Sequence, residues 1–220
     1  MKKHICLTFC LCMILLLGGC KSPDTSTLNE NSNKSGDLSK DVEFKVSDEN
    51  SKIWLNNSHI EKVSLETDET GKKSLLFTTT EEGKAILYNA TSENIDKTLS
   101  LCADKYLLLS MKVTTPIENG EFTLNNSLVE HTYLYNYLTG AKDLMADVTP
   151  PDDLISEDTA KNNVFKHAKI TADDVSELSI ELKIDQDFLN WIYVIHFTAN
   201  DKEYSSEVNA YTGGITKFAF

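Results

Sequence analysis

The sequence predicts an α+β protein of two small domains, each an antiparallel sheet packed with one or two helices, after a signal peptide and a disordered stalk. Apolar and polar residues alternate in short runs separated by turn residues, which is the period of antiparallel strands, and only a few segments have helical spacing. The proline pair Pro150-Pro151 interrupts this pattern and breaks helix and strand alike. We therefore expect one domain over residues 42–148 and another over residues 152–220.

Residues 1–19 have the composition of a signal peptide. Lys2 and Lys3 make a basic start, and residues 5–17 are apolar apart from Thr8. Crossing a hydrocarbon core takes about 20 apolar residues, so this run is too short for a stable membrane span. Its length is typical of a secretory signal.

The apolar run ends in Leu17-Gly18-Gly19-Cys20, which resembles the bacterial lipobox. The resemblance implies that the Cys20 thiol receives a diacylglyceryl group and that the chain is cleaved before Cys20. Acyl chains such as palmitate would then hold the protein at the outer face of the cytoplasmic membrane, since two or three chains anchor firmly. The alternative is an ordinary secretory signal followed by an unrelated cysteine.

Residues 20–41 are predicted to form a flexible stalk after the lipidated Cys20. Ser, Asn, Thr and Asp dominate this stretch, and Leu28 and Leu38 are its only leucines. Such a composition cannot bury enough apolar surface to offset the entropy lost on ordering.

Composition excludes some partners. The formal net charge is −13, and all 21 cationic residues are Lys. Nucleic acid is not expected to bind, because phosphate recognition needs clustered positive charge. An acidic surface also opposes lying flat on anionic lipid, so the membrane is expected as a partner only through the anchor.

The first domain is predicted to begin with a hairpin. Val63 and Leu65, then Leu75 and Phe77, alternate with polar residues on either side of a turn at residues 67–73. The later elements are a short helix at 84–91, a second hairpin around Asp104-Lys105, a turn at 116–120, and a brief strand at 122–124.

A second helix is predicted to end this domain. Asn125, Asn126 or Ser127 can cap its start, and Gly140 is its stop signal. Leu128, Tyr135 and Leu138 are expected to share one face of it.

Several short motifs run through residues 55–140. They include Glu82-Gly83-Lys84, Thr91, Asn94, Ile95, Asp104, Pro116-Ile117, Gly120 and Gly140. Together they resemble the extracytoplasmic head region of SecD, the accessory subunit of the Sec protein-export machine. The resemblance implies the fold of that head and a polypeptide-contacting role, without energy-coupled export, since the membrane helices of SecD have no counterpart here. The chain departs from the family at Asp96 and Lys105, where glycine is usual.

The second domain is predicted to open with a helix. Ser156 is its cap, Glu157 and Asp158 lie in its first turn, and it runs to about His167. Alternation then predicts four strands, over residues 175–184, 191–197, 203–210 and 215–218.

Three stretches of this domain carry a second resemblance. They are Ile155-Ser156-Glu157-Asp158-Thr159-Ala160, Trp191-Ile192-Tyr193-Val194-Ile195 and Glu207-Val208-Asn209-Ala210-Tyr211-Thr212-Gly213-Gly214-Ile215. They resemble the PepSY domain, found in propeptides of thermolysin-type peptidases and in many bacterial surface proteins. Asn209 stands where that family usually has Asp.

No catalytic set is expected, and neither a cofactor nor a metal site is predicted. The chain lacks a G-x-S-x-G elbow, a Walker A loop, an H-E-x-x-H and a C-x-x-C. No pair of His residues has metal-ligand spacing, and the acidic pairs at 152–153, 157–158 and 173–174 lack the calcium-loop pattern. Cys102 is interpreted as a half-buried apolar residue facing away from Leu101 and Ala103, with a reactive thiol as the alternative.

These observations predict a non-enzymatic, membrane-tethered lipoprotein that binds a polypeptide or another envelope protein. The expected contact surfaces are exposed strand edges of the C-terminal sheet, or the groove between that sheet and its helix. Two alternatives are open: a PepSY-type regulator or inhibitor of a secreted peptidase, and an enzyme or metal-binding protein whose His and acidic residues are brought together by folding.

Overall fold

The computed structural model describes residues 33–126 and 129–220. They contain twelve strands and three α-helices, so the protein is α+β as predicted. The helices are α1 (Glu81–Glu93), α2 (His131–Leu138) and α3 (Glu157–Ala168). The strands are β1 (Lys34–Gly36), β2 (Phe44–Asp48), β3 (Ile53–Asn56), β4 (Ile60–Thr67), β5 (Lys73–Thr79), β6 (Thr98–Ala103), β7 (Tyr106–Lys112), β8 (Glu121–Leu124), β9 (Val175–Asp185), β10 (Asn190–Ala199), β11 (Lys202–Asn209) and β12 (Ile215–Ala219).

The strands form three four-stranded antiparallel sheets. The first sheet has the order β1-β4-β5-β8, the second β3-β2-β6-β7 and the third β12-β11-β10-β9. The first and second sheets both lie within residues 34–124, where the sequence predicts a single sheet. A separate second sheet forms there because β2 lies between β3 and β6 and pairs with both.

Stacked phenylalanines join the first sheet to the second. Phe77 of β5 faces Phe122 of β8 across the ladder, with ring centroids 4.9 Å apart. Phe44 of β2 stacks on Phe77 at 5.0 Å. Phe44 and Phe77 are fully buried, so the two sheets share one apolar core. Burying an aromatic side chain of this size is worth about 2–3 kcal/mol.

The C-terminal end of the predicted stalk is part of the fold, which corrects the boundary at residue 41. Lys34, Ser35 and Gly36 pair with Leu65, Ser64 and Val63 as strand β1. Strand β1 itself has no apolar side chain and is held by backbone pairing and by close packing at Gly36, whereas Leu38, just after it, packs against the core. A Cβ on Gly36 would lie 3.1 Å from a side-chain carbon of Thr139.

Two helices differ from the predicted bounds. Helix α1 starts earlier, at Glu81, because the Thr80 side chain accepts a hydrogen bond from the Gly83 amide. Helix α2 starts later, at His131, and its cap is Glu130 in place of Asn125, Asn126 or Ser127. Ser127 and Leu128 lie outside the described residues.

Two of the motif residues near α1 have structural roles. Gly83 passes so close to the 3-10 turn at Asn57–His59 that a Cβ would lie 2.2 Å from the carbonyl oxygen of His59. Thr91 is buried, donates to the Leu87 carbonyl at 2.8 Å and accepts from the Ile117 amide at 2.9 Å. These residues fix α1 against the loops around it.

Asp104 has a similar structural role in the β6–β7 turn. It adopts positive φ, and its Oδ1 accepts a hydrogen bond from the Glu43 amide at 2.7 Å. The Tyr137 hydroxyl donates to the other carboxylate oxygen. This turn is thereby joined to the residue that precedes β2 and to α2.

In the third sheet, one face packs against α3. Phe197 of β10 lies 5.3 Å from Phe165 of α3 and stacks on Tyr204 of β11 at 4.7 Å. The predicted helix and all four predicted strands of this region are confirmed.

Within residues 33–126 and 129–220, no helix combines the length and apolar character needed to cross a bilayer.

Candidate functional site

The turn before β12 is built around the amide side chain of Asn209. Its Oδ1 accepts hydrogen bonds from the Tyr211 amide at 3.0 Å, the Thr212 amide at 2.9 Å and the Thr212 hydroxyl at 3.1 Å. A neutral amide oxygen therefore holds this turn through three hydrogen bonds. Gly213 follows with a φ of 73°, which favours glycine. This turn sends the chain back along β11 as β12.

Helix α3 lies beside that strand. The Ser156 hydroxyl caps its start by accepting from the Thr159 amide at 3.2 Å, as predicted. Its C-cap, Lys169, is left-handed with a φ of 59°. The side-chain amide of Asn163 donates to the Gly213 carbonyl at 3.0 Å, which ties the helix to the turn.

An open groove of about 700 Å³ runs between the end of α3 and β12. Ile215 and Phe218 form its apolar part, and both are half-buried. The His167 ring meets Phe218 edge-on, with centroids 4.7 Å apart. Lys166 and His167 are exposed on the helix side.

Strand β12 forms one edge of the third sheet. Among the described strands it pairs with β11 alone, so alternate N–H and C=O groups on its outer side have no ladder partner. An added strand could complete the ladder there while its side chains enter the groove.

The opposite edge of the sheet is less suited to pairing. Strand β9 contains Glu177 at a φ of 56°, and its register with β10 shifts between His196 and Thr198. Irregular backbone and exposed charges such as Glu181 and Lys183 are the usual protection of a strand edge. The pairing of β12 with β11 also shifts register, between Glu207 and Val208, but β12 has no residue at positive φ.

The groove has a positive side in a protein of formal net charge −13. Lys166 and His167 are the last-turn basic residues of α3, where they also complement the helix dipole. Lys217 does not add to this charge, because it forms an ion pair with Glu207 at 2.8 Å. The Glu207 hydrogen bond and charge raise the pKa of Lys217.

The predicted lipidation residues, Leu17, Gly18, Gly19 and Cys20, lie outside the described residues. Cys102 is half-buried and forms no disulfide. Leu101 and Ala103 are buried on the other face of β6, as the alternation predicts.

The polar residues considered for chemistry are dispersed and have local roles. His59 Nδ1 accepts from the Asn56 amide at 3.2 Å, and Asp174 accepts from the Thr171 amide at 2.9 Å. Asp158 pairs with Lys161. Within the described part of the chain, no three His, Cys, Asp or Glu side chains form a group able to hold a metal ion.

No family model matches this chain, and no curated protein matches it either. Among solved structures it is similar to SecDF in its super-membrane-facing form, at 15% identity and a TM-score of 0.35, over 38% of this chain and 16% of that one. A second SecDF structure, described as a membrane component that enhances protein export, gives 15% identity and a TM-score of 0.34, over 38% of this chain and 54% of that one.

The Bacillus megaterium YpeB C-terminal domain is also similar, at 12% identity and a TM-score of 0.23, over 83% of this chain and 90% of that one. The chain spans 16% of the length of the first SecDF chain and 54% of the length of the second.

Proposed function

We propose that this protein is a non-enzymatic lipoprotein, tethered through Cys20 at the outer face of the cytoplasmic membrane, that binds an extended segment of an envelope protein. The observation that carries the proposal is the open groove beside the edge strand β12. Strand addition at such an edge takes its affinity from main-chain hydrogen bonds and its specificity from side chains in the adjacent groove.

The groove favours a partner of particular chemistry. Every second side chain of an added strand would point toward Ile215 and Phe218, so these positions of the partner would be apolar. Residues next to them would meet Lys166 and His167, which favour carboxylates. The partner is thus an extended segment that alternates apolar residues with acidic ones.

Site-specific photocrosslinking in intact cells tests this function. A photoreactive residue replaces Thr216, which is exposed in the groove, and a matched one replaces Ser179, which is exposed on β9. We expect a discrete protein crosslink from position 216 that is absent from position 179.

Charge variants then identify the groove as the binding surface. Lys166→Glu should weaken the crosslink from position 216, whereas Lys183→Glu, the same change on β9, should not. If the crosslinked partner is a secreted peptidase, the result supports the alternative function, which is regulation or inhibition of that peptidase. Equal crosslinking from both positions, or a crosslink unaffected by Lys166→Glu, would contradict the proposal.

A further inference from the structure

The second sheet ends in an apolar edge strand, β7. Among the described strands it pairs with β6 alone, so alternate N–H and C=O groups on its outer side have no ladder partner. Five of its seven residues are apolar, and Leu107 and Met111 are 63% and 36% exposed. Charged residues and proline commonly protect such an edge, but β7 contains no proline and one charged residue, Lys112.

The C-terminal half of β7 is its regular part. The register with β6 shifts between Leu107 and Leu109, so residues 109–112 form the unbroken part of the ladder. There Leu109 and Met111 lie opposite two buried leucines of β6. Leu109 and Met111 are therefore on the core side of the sheet, and Ser110 is on the other side.

A narrow cavity of about 30 Å³ lies beside this part of the strand. Leu109 and Met111 line it, together with Leu87 of α1, Ile117 and Phe122. The lining is mostly apolar, so an apolar group fills this space better than water does. The flexible end of a methionine side chain suits a small, irregular gap of this kind.

The charges at both ends of β7 are neutralised, although the protein has a formal net charge of −13. Lys112 forms an ion pair with Asp96 at 2.8 Å, and Lys105, in the turn before β7, pairs with Asp187 at 2.9 Å. Two acidic molecules repel each other where their carboxylates face, so copies of this chain can approach closely only through a neutral surface. The edge of β7 is such a surface.

We propose that β7 pairs with β7 of a second copy of this chain, antiparallel about a two-fold axis at Ser110. Opposite residues of antiparallel strands share a face, so Leu109 lies opposite Met111 of the second copy and Ser110 lies opposite its own counterpart. Each Met111 side chain then reaches the cavity of the other copy. The two four-stranded sheets become one sheet of eight strands, joined by an isologous interface.

Disulfide trapping tests this register in membranes of cells that make the full chain. In a Cys102→Ser background, Ser110→Cys should give a species of twice the monomer mass under mild oxidation, because directly opposite residues are within disulfide reach. Ser100→Cys is the matched control. Ser100 lies on β6 opposite Ser110, about 14 Å or three strand spacings from its counterpart, and should not crosslink.

Sedimentation of the full chain in detergent measures the association itself. We expect the mass of a dimer. Met111→Glu should weaken the association about ten-fold or more, because it places a carboxylate in an apolar contact. Ile53→Glu is the matched control, since Ile53 is 50% exposed on β3, the opposite edge of the same sheet, and should leave the dimer intact.

The proposal fails if Ser110→Cys gives no more dimer than the Cys102→Ser chain, if Ser100→Cys crosslinks equally, or if the full chain sediments as a monomer. A Met111→Glu protein that dimerises like the parent also contradicts it. If circular dichroism shows that Met111→Glu does not fold, the trapping result decides. These outcomes are distinct from the crosslinking result at position 216, because β7 and β12 are edges of different sheets.

Discussion

The indole Nε1 of Trp191 donates a hydrogen bond to Oε2 of Glu130 across 3.3 Å, and both side chains are buried. The other carboxylate oxygen of Glu130 accepts from the Thr132 amide at 3.0 Å and so caps α2. The Glu130 amide donates to the Leu189 carbonyl at 2.8 Å. One residue thereby joins the start of α2 to the third sheet.

We expect Glu130→Ala to lower the free energy of unfolding by about 3 kcal/mol, because it removes a helix cap and leaves the Trp191 N–H buried without a partner. Glu130→Gln keeps one acceptor oxygen and should cost less. Urea denaturation at pH 7 measures both, with Glu118→Ala at an exposed site as the control. A Glu130→Ala protein as stable as that control would contradict the role of Glu130.

Stability should depend on pH through His131. Burial and the two neighbouring lysines lower its pKa from 6.5 to about 4, so between these values the unfolded chain binds more protons than the folded one. The stability associated with the neutral ring is complete above pH 6.5 and is lost as pH falls toward 4. The full effect is about 3 kcal/mol.

His131→Gln cannot titrate, so the difference in unfolding free energy between pH 7.5 and 5 should shrink by about 2 kcal/mol relative to the parent protein. His196→Gln, at an exposed histidine, serves as the control and should leave the difference unchanged. An unchanged pH dependence in His131→Gln would show that this ring does not titrate as described.

Gly83→Ala should destabilise the protein, opposite to the usual effect in a helix. At an open helical site, replacing Gly by Ala gains about 1 kcal/mol. Here the new Cβ would lie 2.2 Å from the His59 carbonyl oxygen, so the backbone must move. We expect a loss of about 3 kcal/mol in thermal or urea unfolding. Ala85→Gly, exposed on the same helix, should show the ordinary cost of glycine, and a stabilised Gly83→Ala protein would contradict the close contact.

Cys20→Ser should abolish incorporation of labelled palmitate and release the protein from the membrane fraction or leave it unprocessed. Cys12→Ser changes a cysteine of the apolar run and should keep both labelling and membrane association. Labelling of the Cys20→Ser protein would rule out Cys20 as the lipidated residue.

Local patterns account for the elements that the sequence predicted well. The hairpin of β4 and β5, the hairpin of β6 and β7, and the third sheet all show strong alternation between clear turns. Helix α3 has a cap hydrogen bond within its own first turn, so nearby residues were sufficient to place its start. The PepSY-like turn was also local, because Asn209 binds residues only two or three positions away.

Elements that depend on contacts with residues far away in the sequence could not be predicted from local patterns. Strand β1 has no apolar residue and exists through pairing with β4, about 30 residues later. The cap of α2 is Glu130, whose position depends on Trp191, 61 residues away. Neither of these long-range pairings can be recognised from the local pattern around residues 34–36 or 130.

The same difference between local patterns and contacts of distant residues applies to the candidate site. The sequence by itself proposed two contact surfaces, the exposed strand edges of the C-terminal sheet or the groove between that sheet and its helix, and it supplied Cys20 as the proposed anchor. Only the tertiary structure decided that β12 is an edge of that sheet and that His167 meets Phe218. The physical reason is that alternation and capping are encoded over a few residues, whereas a groove or a cleft is formed by side chains far apart in the chain.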